Sequence, residues 1–187
     1  MSALRWSNQM AEEWVNSKKI YEGAVISVRT GNARLRDGSI GFREMVEHPG
    51  GVGVVPVLDG HVIFVRQFRI AMGKEILEIP AGKLEGVEDP LARAAIELEE
   101  ETGYKAGRLI SAGSMYASVG YSSEEIRLFL AFDLEHVGQK CEIDEHIDIV
   151  KVSLAEAERM VLTNEIKDGK TIIGLHALFA YLKGKGE

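Results

Sequence analysis

GKLEGVEDPLARAAIELEEETGY, residues 82 to 104, is the stretch on which the rest of the chain is read. Asp89 is a good N-cap, and Pro90 suits the first helical position, where a missing N–H costs nothing. Gly103 suits the stop just past the end. The spacing predicts a helix between those two signals. Five carboxylates surround it: Glu88, Glu97, Glu99, Glu100 and Glu101. Residues 97, 100 and 101 are three and four apart, so their side chains share one face. Like charges at that spacing repel by a few tenths of a kcal/mol per pair, with no gain to the fold. A hard divalent cation with oxygen ligands offsets that repulsion, and Mg²⁺ is the usual choice where phosphate is also present. A solvated acidic face is the plain alternative, and charge alone does not separate the two.

Composition narrows the setting. The chain has 187 residues, 45% of them hydrophobic, which suits one globular domain with an appendage. A net charge of −7 argues against a nucleic-acid polyanion as the general partner, though not against a phosphorylated small molecule whose charge a bound metal neutralises. Cys141 is the single cysteine, so no intramolecular disulfide forms and a reducing cytoplasm is the expectation. No apolar run approaches the ~20 residues that span a bilayer, so no membrane is expected. The amino terminus, MSALRWSNQMAEEW, lacks the apolar core of a signal peptide. Neither a repeat nor a low-complexity linker interrupts the sequence.

Two parts are expected, residues 1–48 and 49–187. In the first, Tyr21 to Thr30, Asn32 to Leu35 and Gly41 to Glu47 read as short strands, with a turn at Asp37-Gly38. The second opens with GGVGVVPVL, the turn Asp59-Gly60 and HVIFVRQFR, two β-branched runs around Asp-Gly that signal a hairpin. Further strands are expected at Glu75 to Ile79, Gly107 to Ala117, Ile126 to Leu134 and Ile147 to Val152. Leu154 to Thr163 reads as a helix. Ile172, Ile173, Leu175, Leu178, Phe179 and Leu182 give Gly169 to Lys183 the spacing of a closing amphipathic helix. Mixed strands with helices on two faces make an α/β/α sandwich.

The helix and its flanks resemble the signature of the Nudix hydrolases. That pattern runs glycine, five residues, glutamate, seven residues, then Arg-Glu-apolar-x-Glu-Glu-x-Gly-apolar. Gly82, Glu88, Glu97, Leu98, Glu100, Glu101, Gly103 and Tyr104 fill eight of its nine fixed positions. The ninth departs: Ile96 stands where the family has arginine, a residue that normally pairs with a catalytic glutamate and orients it. Arg93, one turn earlier, either substitutes for it or is a solvated surface arginine. The flanking runs EHPGGVGVVPV, VRQFR and LEIPAGKLEG resemble the ADP-ribose pyrophosphatase and nucleoside-diphosphate-sugar hydrolase group, over roughly residues 20 to 155. ASVGYSSEE resembles that group's Ser-Pro-Gly turn followed by an acidic residue, with Val119 in place of the proline.

The resemblance implies the Nudix α/β/α sandwich with a mixed sheet, plus a small amino-terminal antiparallel β-domain over residues 1–48 that builds a homodimer. A simple extra sheet is the alternative for those residues. It implies metal ligation by the backbone carbonyl of Ala81 and by Glu97, Glu100 and Glu101, with Mg²⁺ as cofactor and Mn²⁺ as a substitute. Glu88 is either a helix-terminal or a functional residue. A further acid is expected on EIDEH: Glu145 as metal ligand or base, with Glu142 and Asp144 as alternatives. Glu100, Glu101 and Glu145 are the expected catalytic residues. Arg69, at the end of VRQFR, is expected on the substrate's phosphates. Arg66 is either a substrate residue, solvated, or paired with Glu78. Phe42 and Arg43 match an aromatic platform and polar partner for the base, against a core phenylalanine as the plain reading. Trp6 and Trp14 lie in the amino-terminal segment. His48 and His146 lack the spacing of a zinc site.

The activity implied is hydrolysis of a nucleoside diphosphate linked to a sugar, ADP-ribose to AMP and ribose 5-phosphate. Another nucleotide sugar such as GDP-mannose is the alternative within enzymes. A weakly active ligand-binding module is the alternative outside them.

Overall fold

The computed structural model describes residues 12–84, 89–140 and 146–186. Trp6, Glu88, Cys141, Glu142, Asp144 and Glu145 therefore lie outside the described residues. The chain forms two compact units, Met1–His48 with Ser118–Ser123, and Pro49–Ala117 with Glu124–Glu187.

The first unit is a three-stranded antiparallel sheet, β1 (Glu13–Glu22), β2 (Ser27–Arg34) and β3 (Ile40–Glu47), in sequence order. The reading of Tyr21 to Thr30 as one strand is corrected: the chain reverses at Gly23 to Ile26, where the Gly23 N–H donates to the Ile26 carbonyl at 2.9 Å. Gly31 is required by β1, because a Cβ there would stand 2.1 Å from the Asn16 carbonyl oxygen. The turn at Asp37-Gly38 forms as the sequence indicates, with the Asp37 carboxylate accepting from the Ser39 N–H at 2.9 Å. The segment Ser118–Ser123 joins β3: the Val46 N–H donates to the Tyr121 carbonyl, and the Ser123 N–H to the Val46 carbonyl.

The second unit is built on a seven-stranded mixed sheet. Its strands are β4 (Gly51–Leu58), β5 (His61–Arg69), β6 (Lys74–Glu78), β7 (Ala81–Lys83), β8 (Tyr104–Tyr116), β9 (Glu125–His136) and β10 (Asp148–Ser153). The main path runs β10-β5-β4-β9-β8, with β6 on β5 and β7 on β4. Only β4 and β9 run parallel, Gly51 opposite Ile126 through Pro56 opposite Ala131; the other pairings are antiparallel. Asp59 and Gly60 both take positive φ, the two-residue hairpin geometry that the Asp-Gly pair predicts.

Helix α1 (Pro90–Thr102) starts at Asp89, whose carboxylate accepts from the Leu91 N–H, and stops at Gly103, which is left-handed at φ 72°. Its Ala94 and Leu98 pack with Val52, Val54, Leu84, Phe129 and Ala131 on one face of the sheet. Helices α2 (Leu154–Leu162) and α3 (Gly169–Lys185) cover the other, where Ala157, Leu175 and Leu178 meet Val55, Phe64, Ile79, Leu128 and Leu130. Alternation along β4 sends Val52 and Val54 to α1 and Val55 to α3, which is the α/β/α arrangement. No helix among the described residues is long and apolar enough to cross a membrane.

Candidate active site

Strand β7 and helix α1 bring two of the acids against backbone. Glu101 Oε2 accepts the Ala81 N–H at 2.9 Å. Glu97, one helical turn earlier, lies over Gly82: a Cβ on that glycine would stand 1.6 Å from Glu97 Oε1. The absent side chain is thus the space the carboxylate occupies. Both glutamates are buried, Glu97 at 6% and Glu101 at 3% exposure. A buried carboxylate is costly unless a charge or hydrogen bond offsets it.

Part of the offset is Arg93. Its Nη2 lies 2.5 Å from Glu97 Oε1, an i,i+4 pair with both side chains largely buried. Of the two readings of Arg93, the solvated one is not what the structure contains. Ile96, at the position of the family's arginine, is 44% exposed on the helix surface. The core is therefore not repacked around Ile96.

The other acids of α1 face elsewhere or only partly inward. Glu99 accepts Lys140 Nζ at 2.9 Å, and that hydrogen bond holds its carboxyl below the ordinary range. Glu100 is half-buried, and its carbonyl accepts the Lys140 N–H at 3.0 Å. Among the described residues no three His, Cys, Asp or Glu side chains converge as a complete metal cage. What does converge is two buried carboxylates with the Ala81–Gly82 backbone, a hard-oxygen set of the kind that suits Mg²⁺ or a similar divalent ion.

Beside Glu101 lies a second charged cluster. Arg69, at the end of β5, grips Glu78 with Nε at 2.6 Å and Nη2 at 3.0 Å. Lys170 Nζ pairs with the same Glu78 and stands 3.1 Å from Asp168. Asp168 caps α3, accepting from the Thr171 N–H at 3.0 Å and its hydroxyl at 2.6 Å. Burial pushes the Glu78 carboxyl up, but the Arg69 hydrogen bond and the Lys170 charge outweigh it and hold it below the ordinary 4.5. Arg69 is raised in turn, first by Glu78, with Glu101 and Asp168 contributing at longer range. A cavity of about 390 Å³ opens beside this cluster, lined by Arg69, Met72, Lys74, Glu78, Lys167 and Gly169 among others.

Three expected substrate residues stand differently. Arg66 is exposed and is not on Glu78: it pairs with Asp148 Oδ2 at 2.9 Å and Glu75 Oε2 at 3.5 Å on the neighbouring strands. Arg43 and Phe42 lie on β3 of the first unit. Arg43 forks onto Glu12, both bonds 2.7 Å, and Phe42 is 61% exposed, so the core reading of that phenylalanine fails. A cavity of about 430 Å³ in that unit is lined by Trp14, Arg43, Val119 and Tyr121 with their neighbours. His48 enters through its backbone, donating to Ser123 Oγ at 3.0 Å. Sequence reasoning missed Lys170 and Asp168: Asp168 carries the local signal of an N-cap, whereas nothing local announces Lys170, which is 92 positions from the carboxylate it pairs with.

Comparison with known proteins follows the same lines. A family model described as NUDIX domain matches residues 47–173. The chain is 38% identical over 172 residues to the ADP-ribose pyrophosphatase of Bacillus subtilis (strain 168), covering 90% of this chain and 93% of that one. It is 35% identical over 170 residues to the methanol dehydrogenase activator of Bacillus methanolicus, covering 89% and 92%. A solved structure described as an ADP compounds hydrolase shares the fold at TM-score 0.83 and 20% identity, covering 94% of this chain and 96% of that one. With the signature folded as helix α1 over strand β7, and a family match spanning two thirds of the sequence, the chain belongs to the Nudix family and is a Nudix pyrophosphohydrolase.

Proposed function

We propose that this protein hydrolyses the pyrophosphate of a nucleoside diphosphate linked to a sugar, ADP-ribose first, yielding AMP and ribose 5-phosphate. The observation that carries the reading is the pair of buried carboxylates, Glu97 and Glu101, held against Ala81 and Gly82. Two anions kept four residues apart on one helix face, one in a space only glycine leaves, cost the fold energy that a bound cation returns. The name of the Bacillus subtilis relative supports the choice of substrate.

Residues Ala81 (through its carbonyl), Glu97, Glu100 and Glu101 would hold Mg²⁺, with Mn²⁺ as a substitute and Glu145 as a further ligand. The cation when bound would withdraw charge from phosphorus and acidify its water. The chain's own part is positioning. Arg93 holds the Glu97 carboxylate, and the Ala81 N–H holds Glu101. Arg69 offers a cation beside Glu101, anchored by Glu78, to receive phosphate oxygens. Water adds to one phosphorus, the bridging P–O bond breaks, and the water's proton passes to a carboxylate, for which Glu145 is the proposed base. Phe42 and Arg43 are proposed for the base of the nucleotide.

The first unit is proposed as a dimerisation module, and the cytoplasm as the compartment, from the single cysteine. The outer strand β1 exposes Trp14, Val15, Ile20 and Tyr21, and such strands are commonly covered by a partner. Sedimentation over a concentration series tests the dimer.

A panel of ADP-ribose, GDP-mannose and other nucleotide sugars, assayed for phosphomonoester release with and without divalent cation, tests the activity. ADP-ribose is expected to turn over fastest, and chelator to abolish it. Faster turnover of GDP-mannose would move the substrate, and tight binding without turnover would make the protein a ligand-binding module.

A further inference from the structure

Arg69 presents an electrostatic problem. It lines the cavity where an anionic substrate oxygen is proposed to arrive, yet two of its donors are spent on Glu78. Glu78 is 3% exposed, so solvent does little to screen it. A guanidinium in a bidentate pair with a buried carboxylate is close to a neutral unit. A neutral unit gives an incoming phosphate much less attraction than a cation does.

Lys170 changes that balance. Its ammonium meets the same carboxylate, with Glu78 Oε2 accepting from both Lys170 Nζ and Arg69 Nη2. One anion is thereby divided between two cations. The lysine is itself largely buried and fixed by Asp168, the N-cap of α3, at 3.1 Å. Asp168 is the lysine's other partner and accepts from the Thr171 N–H and hydroxyl, so much of its charge is directed into the start of the helix. Thr171 also donates its hydroxyl to Asp168 and accepts the Ile79 N–H at 2.9 Å, which ties the α3 start to the chain leaving β6. The paired charges therefore alternate in sign from Arg69 through Glu78 and Lys170 to Asp168.

We propose that Lys170 is a positioning residue for substrate binding: by sharing Glu78, it leaves Arg69 with cationic character toward the substrate's phosphate. The inference rests on the reading that Arg69 receives phosphate. It predicts an effect on affinity, not on the chemical step, because Lys170 pairs with Glu78 and Asp168 and not with the carboxylates proposed to hold the metal.

The experiment uses the full-length protein and whichever nucleotide sugar it turns over best, with Arg69→Ala as the reference. Lys170→Met is expected to raise KM about tenfold with a smaller fall in kcat, and Lys170→Arg to restore most of the KM. A purely structural lysine would lower the melting temperature and the active fraction but leave KM alone. Lys170→Met that folds with KM within twofold of the parent overturns the proposal. If Arg69→Ala raises KM in that case, the substrate reading survives; if it does not, both fall. Should Lys170→Met fail to fold, Glu78→Gln/Lys170→Met removes both charges of the buried pair together. Arg69 then faces a neutral amide, and KM is expected at or below the parental value; a tenfold rise would overturn the proposal.

Discussion

Gly82 and Glu97 make one unit although they sit on different elements. A methyl group at residue 82 and a carboxylate at residue 97 compete for the same space. The glycine at the head of the signature is thus a steric requirement of the glutamate fifteen positions later. Glu101 is the simplest test of the site. Glu101→Gln keeps an oxygen that can accept the Ala81 N–H and keeps the volume, so the fold should survive. Losing the anion should lower kcat by about 10²-fold or more at saturating divalent cation. Kinetics beside a melting curve would check it, and parental turnover would remove Glu101 from the site. Ile96→Arg belongs to the same scale. Because the side chain is half in solvent, no buried charge results, and stability should change by less than about 0.5 kcal/mol. The new arginine lies four residues before Glu100 and gains at most a few tenths from it. A denaturant titration showing a loss of 2 kcal/mol would contradict this.

Elements were legible in the sequence where their signals were local. Asp89, Pro90 and Gly103 bounded α1, and Asp59-Gly60 fixed the β4–β5 hairpin, because caps and tight turns are decided by a few neighbouring residues. Strand β1 was missed. Every one of its residues is exposed, so no buried face imposes alternation on WVNSKKIYE, and pairing with β2 alone marks it. In the site, the acids of the signature could be read from spacing, whereas the partners of Arg69 and Arg66 depend on strands brought together by the sheet. Arg66 meets Asp148 across 82 positions of sequence. Helix packing offers a further test at Gly174 of α3. Gly→Ala inside a helix ordinarily gains up to about 1 kcal/mol. Here a Cβ would come within 2.8 Å of Val55 Cγ2, a stiff and fully buried side chain, and overpacking costs about 1–3 kcal/mol. The second effect is larger, so Gly174→Ala should destabilise by about 1 kcal/mol, measured by thermal or chemical unfolding.

The whole molecule carries a pH signature from one buried charge. Glu78 is depressed below 4.5 by Arg69 and Lys170 in spite of its burial. A carboxylate lowered on folding adds stability above its unfolded pKa and loses it as pH falls through the folded value. The Glu78 contribution should therefore be complete at pH 6 and decline below about 4.5. Unfolding free energies from pH 6 to 3 should fall more steeply for the parent than for Glu78→Gln; equal slopes would show that Glu78 titrates normally.

Strand β4 has a consequence in time as well as in space. It pairs with β5 a few residues away, but it also runs parallel to β9, with Gly51 opposite Ile126, and its opening residues hold β7. A hairpin closes in about 1–10 μs, while pairings that span most of a domain belong to the ms–s regime. The β4–β5 hairpin should therefore form early, and the β4–β9 ladder should close late. The Ala81–Lys83 platform needs β4, and helix α1 needs the apolar face that β4 and β9 share, so the surface proposed to hold the metal should be among the last parts to mature. In a refolding experiment the return of hydrolysis should lag behind the return of β-sheet circular dichroism, and a chain halted early would carry its acidic helix with no strand beneath it.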